Sequence, residues 1–264
     1  MIYYAVTLPK NLKQVVLQGL SDWHTGNPYC STKHIDRQVD LLGIPDHYAV
    51  LVGDLGDYAT LDSKADVFQQ KQTPQEQAIW IKGKLTSYKK KMLGAVAGNH
   101  DLNVYKRTGY DVMQDIAEFL GCPYRRDGML LKMSFGSGNN SHPERPYTYW
   151  IYFTHGYGGA RTSGAKIAKA ERTASYLHAD VYISAHDHVE QAQPISYLMP
   201  DPRTHQEGNF QIGKVREHRK LLVKTGAALK WGGYSERGGY PPSQLGTPLI
   251  KFAGTGEPRV TVEL

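Results

Sequence analysis

Five short segments of the sequence carry side chains that can bind metal ions or transfer protons. Each follows an apolar run, and in order they are Asp22-Trp23-His24, Gly53-Asp54-Leu55-Gly56-Asp57, Gly98-Asn99-His100-Asp101, His155-Gly156 and His186-Asp187-His188. Imidazole and carboxylate groups are ligands for divalent metal ions, and an imidazole can also transfer a proton near neutral pH. The five segments together predict a metal site with a proton-transferring group beside it.

Each segment alone has an ordinary structural explanation. An aspartate or asparagine after a strand is commonly a turn residue, and a single buried histidine is commonly a hydrogen-bonded core residue. Five coincidences at successive strand ends are different, because α/β sheets place their sites at the carboxyl edge of their strands. The pattern therefore favours one shared site over five unrelated turns.

The elements that must position these segments follow from the hydrophobic pattern. Short apolar runs predict strands over residues 15–20, 47–52, 92–97, 129–135, 147–153, 181–184, 195–199, 221–225, 249–252 and 259–262. Amphipathic patterns predict helices over residues 32–42, 74–91 and 111–120, with a fourth ending near 177. Residues 58–72 and the segments between the last strands are predicted to be polar loops.

Three segments carry finer expectations. Asp22 and His24 are two apart on a segment predicted to be extended, so both side chains should face the same ion. Thr73, Pro74 and Glu76 form a helix start with a capping box. The Gly-rich segment 136–146 predicts a long hairpin between its flanking strands.

Composition limits the class of protein. The chain has 264 residues with 40% hydrophobic content and two cysteines. No linker, repeat or low-complexity run divides it, so residues 1–264 are expected to form a single domain. The N-terminus lacks the pattern of a signal peptide and no apolar run reaches the ~20 residues of a membrane helix, so a cytoplasmic protein without a membrane partner is expected. A net charge of +6 and a pI near 9.1 favour anionic partners, although solubility explains them equally well.

In their order and spacing, the five segments resemble the motifs of the calcineurin-like metallophosphoesterase superfamily. They extend from Asp22 to His188 and so cover roughly two-thirds of the chain. The resemblance implies an α/β fold, a four-layer αββα sandwich with a dinuclear metal site at the C-terminal ends of its strands. The β-rich tail is then expected in the second sheet.

The resemblance also implies a set of ligands for two metal ions. The first ion would take Asp22, His24, Asp54 and His188, and the second would take Asp54, Asn99, His155 and His186, with Asp54 bridging. Imidazole and carboxylate donors suit Mn, Fe, Zn, Co or Ni better than Mg or Ca. Mn²⁺ is the first expectation, because the second ion of this family is often Mn²⁺ or iron.

His100 is implied to be the general acid that protonates the leaving oxygen, after in-line attack by a bridging hydroxide on phosphorus. Its orienting partner would be Asp57, with Asp101 as the alternative. The sequence departs from the Ser/Thr protein phosphatases, which carry Arg-Gly in place of Tyr58-Ala59 and Glu in place of Asp101. It is therefore closer to the phosphodiesterase and nuclease branches.

Basic and aromatic residues after the fourth segment suggest a substrate surface. The candidates are Arg161, Lys166, Arg216, Trp231 and Tyr234. Such side chains track a phosphate backbone and stack on bases, although solvated loops have the same composition. An open groove lined by Arg161, Arg216 and Trp231 would favour a polymer, and a compact pocket would favour a small phosphate.

The expected function is a metal-dependent phosphodiesterase that acts on nucleic acid or nucleotides. The first alternative is a phosphomonoesterase for a small phosphorylated metabolite or nucleotide, which would use the same metals. A non-catalytic binding module on the same fold is less favoured, because seven ligand positions and His100 are all present. The oligomeric state and the role of residues 1–14 have no sequence signal.

Overall fold

The computed structural model describes residues 2–61, 63, 65–138, 142, 144–242 and 244–264. Its strands are β1 (Tyr3–Thr7), β2 (Gln14–Leu20), β3 (His47–Val52), β4 (Met92–Val96), β5 (Tyr124–Arg125), β6 (Gly128–Phe135), β7 (Tyr147–Thr154), β8 (Val181–Ser184), β9 (Glu190–Glu207), β10 (Phe210–Thr225), β11 (Leu249–Ala253) and β12 (Val260–Glu263). Its helices are α1 (Thr32–Leu41), α2 (Pro74–Leu85), α3 (Asn99–Thr108), α4 (Val112–Leu120), α5 (Ser163–Tyr176) and α6 (Tyr234–Arg237).

The strands form two six-stranded mixed sheets. The first sheet has the order β12-β11-β2-β3-β4-β5, in which β2 to β5 run parallel and β11 and β12 are antiparallel additions. The second sheet has the order β1-β6-β7-β8-β10-β9. In it, β8 lies parallel between β7 and β10, whereas β6 and β9 are antiparallel to their neighbours β7 and β10.

The sheets pack face to face, and helices cover both outer faces. Alternation along β3 shows how one strand serves two layers. Val50 and Val52 join the core between the sheets, while Ala49 and Leu51 join the core beneath α1, α2 and α4. A third cluster packs α5 against the outer face of the second sheet. The four-layer αββα sandwich expected from the resemblance is therefore confirmed.

Several boundaries differ from the sequence expectation. The sequence does not predict β1, because this strand is defined by its pairing with β6 and not by a pattern of its own residues. The capping box at Thr73 is present, but α2 ends at Leu85 and the three lysines follow in a 3₁₀ segment, Thr86–Lys91. The tail also divides between the sheets: β9 and β10 extend the second, and β11 and β12 extend the first.

The predicted hairpin of β6 and β7 is confirmed, whereas the expected polar loop between residues 199 and 221 is wrong. β9 and β10 instead form one long antiparallel hairpin that turns at Gly208. Only its base pairs with the rest of the sheet, through Leu221 to Lys224 on β10. Cross-strand hydrogen bonds stabilise the remainder even though its side chains are largely exposed, which is why hydrophobicity alone did not indicate strands there.

Among the described residues, no helix combines the length and the apolar character needed to cross a membrane.

The core between the sheets predicts where truncation of an aromatic side chain is costly. Phe135 is fully buried there, whereas Phe210 near the turn of the β9–β10 hairpin is 73% exposed. We expect Phe135→Ala to lower the free energy of unfolding by about 3–5 kcal/mol, because it leaves a cavity. Phe210→Ala should change it by less than about 0.5 kcal/mol. Urea denaturation measures both, and a similar loss in the two variants would contradict this core.

Candidate metal centre and active site

The five predicted segments meet at one rim of the sandwich. Three of them follow β2, β3 and β4 of the first sheet, and two follow β7 and β8 of the second. A hydrogen bond joins the two sheets at this rim, from His155 Nδ1 to the Val52 carbonyl oxygen at 2.7 Å. Parallel pairing within each sheet aligns the strand ends, so that the segments converge although they are far apart in the chain.

The backbone turns sharply at this rim. Among the described residues, six that are not glycine have a positive φ in the left-handed region: Asp22 (49°), His24 (48°), Asp54 (54°), Tyr58 (42°), His186 (71°) and His188 (50°). Five of the six are predicted ligands. Asp22 and His24 therefore do not lie on an extended segment, and the expected reason for their convergence is wrong. Their side chains meet because left-handed residues reverse the chain direction.

Glycine is required where two of these turns touch. A Cβ atom on Gly53, which has a φ of 82°, would lie 2.4 Å from the backbone nitrogen of Gly98. A Cβ atom on Gly98 would lie 2.0 Å from Asp54 Oδ1. The Gly-Asp and Gly-Asn-His-Asp segments thus pack backbone against backbone, which only glycine permits.

The first group of candidate ligands is Asp22, His24 and His188. His24 Nε2 lies 3.2 Å from His188 Nε2, and Asp22 Oδ1 lies 3.3 Å from His188 Nε2 and 3.8 Å from His24 Nε2. All three ligand atoms are close enough to hold one ion. Asp22 is fully buried, and its Oδ1 has no hydrogen-bond partner among the described residues. A buried carboxylate oxygen in that state fits a metal ligand.

The second group is Asp54, Asn99, His155 and His186. His155 Nε2 lies 3.0 Å from Asp54 Oδ2 and 3.1 Å from Asn99 Oδ1. His186 Nδ1 lies 2.7 Å from the same Asn99 oxygen and 3.3 Å from His155 Nε2. The groups adjoin, because the His186 backbone N–H donates to Asp22 Oδ2 at 3.0 Å. Asp54 Oδ1 accepts the His100 backbone N–H at 2.8 Å, which leaves Oδ2 on the metal side.

In three of the histidines, the ring nitrogen that points away from the cluster donates a hydrogen bond, and this bond fixes the orientation of the ring. A carbonyl oxygen only accepts, so His155 carries a proton on Nδ1 against Val52 and His186 carries one on Nε2 against Gly158, at 2.7 Å each. His24 Nδ1 lies 3.0 Å from Asp57 Oδ1 and donates to that carboxylate in the same way. Each ring therefore turns its other nitrogen toward the cluster, as in the outer-shell arrangement typical of metal histidines.

The electrostatics of the metal-free site fit a place for cations. Burial alone would raise the pKa of Asp22, but His188 and His24 hold it well below its usual value. Burial would likewise lower the pKa of His155, yet the adjoining Asp54 carboxylate raises it to about 9. Burial and the nearby His155 lower the pKa of His186. The proton on His155 supplies positive charge that a divalent cation would replace on binding.

Asp57 contacts two histidines in different ways. Its carboxylate binds His24 and also accepts from Asn27 Nδ2 at 3.0 Å and Gln70 Nε2 at 2.7 Å. Its backbone carbonyl, and not its carboxylate, accepts from His100 Nδ1 at 2.6 Å; the carboxylate is 3.6 Å from that nitrogen. Asp57 therefore orients the candidate ligand His24 through its side chain and the candidate acid His100 through its main chain.

Asp101 has a structural place instead of the alternative role beside the His100 ring. Its buried Oδ2 accepts the Gly98 N–H at 2.6 Å and the Asp54 N–H at 3.1 Å. It thereby ties the third segment to the second at the start of α3, a helix that the sequence did not predict. Burial and the neighbouring Asp54 raise the pKa of Asp101 to about 7.

A cavity of about 440 Å³ opens beside the two groups. Its walls include Asn99, His100, His186 and His188, so that it reaches both groups and the candidate acid. Other side chains complete it, among them Asn103, Lys166, Ser235 and Tyr240. This volume lies within the ~300–1,000 Å³ of typical small-molecule sites.

The predicted substrate residues are not all at this cavity. Lys166 lines it. Arg161 is exposed, packs over the Tyr240 ring and donates to the Gly238 and Gly239 carbonyl oxygens at 2.8 Å. Trp231 donates to the Tyr240 carbonyl at 2.9 Å and is 43% exposed. Arg161 and Trp231 therefore support the loop that carries Tyr240. Tyr240 itself lines the cavity.

Arg216 is too far away to bind substrate at this site. It precedes Lys224, the last β10 residue paired with β8, by eight residues, or ~26 Å along an extended strand. It pairs instead with Asp201 at 2.7 Å on the exposed hairpin. Tyr234 begins α6, and its side chain lies outside the described part of the structure.

Sequence reasoning missed Tyr240, which lines the cavity. It also missed the Asn27 and Gln70 amides on Asp57, and the contacts by which Lys166, Lys169 and Lys224 surround Asp187 between the two histidines of the last segment. Amide and lysine side chains at these positions carry no motif, because only the fold brings them to the site. The sequence carries a weak signal for Lys166 and Lys169, because they are three residues apart in α5 and therefore lie on one face of that helix.

The role of Asp101 can be tested by comparing two substitutions. Asp101→Ala should lower the free energy of unfolding by about 2 kcal/mol or more, because two buried N–H groups lose their acceptor. Asp101→Asn keeps an acceptor oxygen in place, so we expect a change within about 1 kcal/mol. Chemical denaturation at neutral pH measures the difference. Equal stability of the two variants would contradict this role.

Comparison with family models and with curated protein sequences gives no match. Comparison with solved structures gives similar chains. A conserved protein of Streptococcus pneumoniae described as a predicted phosphoesterase is 12% identical, with a TM-score of 0.40, over 96% of this chain and 99% of that one. Vps29 of Entamoeba histolytica complexed with Zn²⁺ is 11% identical, with a TM-score of 0.36, over 94% and 98%. GAP50, the anchor in the inner membrane complex of Plasmodium, is 10% identical, with a TM-score of 0.43, over 95% and 84%.

These identities and TM-scores are too low to carry an activity from one chain to another, so the function must be inferred from the site itself. Two features of this structure bear on the family. The two sheets face each other beneath two layers of helices. The five segments converge at one rim in two groups of candidate ligand side chains, and His24, Asp57 and His100 form a third close set. The four-layer αββα fold and the meeting of the five segments at one rim are therefore those that the resemblance implies.

Proposed function

We propose that the chain is a metal-dependent phosphoric ester hydrolase that acts on phosphodiesters of nucleotides or nucleic acid. One observation supports this proposal: two adjoining groups of candidate ligand side chains reach one cavity, the first through His188 and the second through Asn99 and His186, and His100 lines the same cavity. Metal ligands alone would suit a binding module. A neighbouring imidazole that faces the same cavity adds the proton transfer that ester hydrolysis requires.

The residues at the rim would hold two divalent ions. One ion would take Asp22, His24 and His188, and the other would take Asn99, His155 and His186, with Asp54 between them. When bound, such ions supply Lewis acidity to a phosphoryl oxygen and lower the pKa of water. The donor set suits Mn²⁺ first, with Fe, Zn, Co and Ni as alternatives.

In this proposal, His100 would donate a proton to the leaving oxygen. Its Nδ1–H is held by the Asp57 carbonyl, and its ring packs edge-on against His24 with centroids 4.7 Å apart. The ring orientation is therefore fixed from two sides, and Nε2 remains for the cavity that His100 lines. An imidazolium in this orientation would give its Nε2 proton to the departing alkoxide and return to the neutral ring.

The shape of the cavity bears on substrate size. Lys166 supplies a cation and Tyr240 an aromatic ring at its wall, a combination that suits a phosphate and a base. Arg216 belongs to the distant hairpin, which removes one expected wall of an open groove. The cavity therefore favours a nucleotide-sized ester over a long stretch of polymer, and its compactness supports a phosphomonoesterase as the second candidate.

Metal dependence and ester class can be tested together. We expect a chelator to abolish the hydrolysis of bis-p-nitrophenyl phosphate and added Mn²⁺ to restore it, with slower turnover of p-nitrophenyl phosphate. Asp22→Asn removes a candidate ligand charge and should require more Mn²⁺ for half-maximal activity. Arg216→Ala serves as the control and should leave that requirement unchanged. Turnover of the monoester alone would favour the second candidate, and no metal-dependent turnover of either would favour a binding module.

The role of His100 predicts a dependence on the leaving group. His100→Ala should lower kcat about 10²–10⁴-fold on a diester with an alkoxide leaving group, because general acid catalysis contributes that range. The loss should be much smaller on bis-p-nitrophenyl phosphate, since p-nitrophenolate leaves without a proton. Steady-state kinetics on the two esters measures the ratio. Equal losses would show that His100 is not the acid.

A further inference from the structure

The loop His186-Asp187-His188 links the two groups of candidate ligands, and its backbone is strained. His186 and His188 both adopt left-handed φ values, 71° and 50°, with Asp187 between them. Conformations of this kind in residues other than glycine persist only where the surroundings over-determine them. Contacts from the surrounding elements must therefore hold this loop in place.

Three lysines converge on Asp187. Lys224 Nζ lies 2.5 Å from Asp187 Oδ2, and Lys169 Nζ lies 2.6 Å from Asp187 Oδ1. Lys166 Nζ donates to the Asp187 backbone carbonyl at 2.8 Å. Lys224 also donates to the Ala185 carbonyl at 3.3 Å, one residue before the first histidine. Side chain and backbone of this one residue are thus held from two elements, α5 and β10.

This cluster is buried to a degree that is unusual for charged groups. The exposed fractions of the Lys224 and Asp187 side chains are 2% and 3%, and that of Lys169 is 12%. A buried ion pair adds little net stability, because desolvation offsets the attraction, and apolar residues of similar volume often serve as well. The ion pairs instead fix the position of the Asp187 side chain, because charge-assisted hydrogen bonds have a preferred geometry.

We propose that Lys166, Lys169 and Lys224 form a clamp on Asp187 that positions His186 and His188 for metal binding. The proposal rests on the metal site of the proposed function and adds positioning residues to it. His188 belongs to the first group of ligands and His186 to the second. A clamp between them therefore sets both metal positions at once, whereas Asp57 supports only His24 in the first group.

The chain offers a matched control for this clamp. Lys220 is a second buried lysine on β10, four residues from Lys224 and so on the same face of the strand. Its Nζ packs over the Tyr197 ring at 4.3 Å and lies 3.3 Å from the Tyr182 hydroxyl, away from Asp187. Substitution of either lysine by methionine removes one buried charge from the same strand, and only Lys224→Met weakens the clamp.

We expect Lys224→Met to weaken the binding of both Mn²⁺ ions about tenfold or more, as loss of outer-shell support does at other metal sites. Asp187 keeps Lys169 as a partner in this variant, so the chain should still fold. Lys220→Met should bind both ions as the wild-type chain does. Isothermal titration calorimetry measures the affinities, and thermal unfolding of the metal-free proteins verifies folding. Unchanged affinities in folded Lys224→Met would overturn the clamp.

A second measurement separates the clamp from the metal site. The His186 amide donates to Asp22 Oδ2, so its hydrogen exchange reports the loop in metal-free protein. We expect this amide to lose protection in Lys224→Met and to keep it in Lys220→Met. If these exchange results are obtained but the wild-type chain does not bind Mn²⁺, the clamp is supported and the proposed function is overturned. Unchanged protection in Lys224→Met would overturn the clamp whatever the metal affinity.

Discussion

Left-handed backbone at the ends of buried strands is the constraint on which the site depends. Each such residue costs about 1–2 kcal/mol in a chain of L-amino acids. In the described residues, every positive φ outside glycine falls within or directly beside the five segments. These turns let ligands from two sheets point toward one volume. A rigid sandwich is needed to hold them, because a flexible rim would relax to ordinary turns and separate the ligands.

The support behind the ligands is as specific as the ligands themselves. The Val52 and Gly158 carbonyls and the Asp57 carboxylate each fix one ring, and Asp101 holds two backbone N–H groups of neighbouring turns. Carboxylates in this region thus have different tasks according to burial and partners. Asp22 is a candidate ligand, whereas Asp57 orients other groups and Asp101 joins two segments.

The cavity is lined from two parts of the fold. Candidate metal ligands and His100 come from the strand ends, while Lys166 and Tyr240 come from α5 and a late loop. The outer part of the β9–β10 hairpin belongs to neither, because Arg203 and Arg216 there pair with Asp201 on the same hairpin.

The sequence by itself determined which residues are the candidate ligands of this site, because ligand types at strand ends are readable as residues in a local pattern. Asp22, Asp54, Asn99 and the histidines could be listed before any fold was seen. The αββα sandwich was implied by the family resemblance that these segments carry. Local periodicity was sufficient wherever a strand is apolar and short, as in β3 and β8.

The tertiary structure decided the contacts between distant residues. β1 and the outer half of the β9–β10 hairpin are strands only through their pairing. The Asp57 carboxylate was expected at His100 and lies instead at His24. Lys224 reaches Asp187 because β10 pairs with β8. None of these contacts has a local signature, since each depends on which strands lie side by side and how deeply the intervening charges are buried.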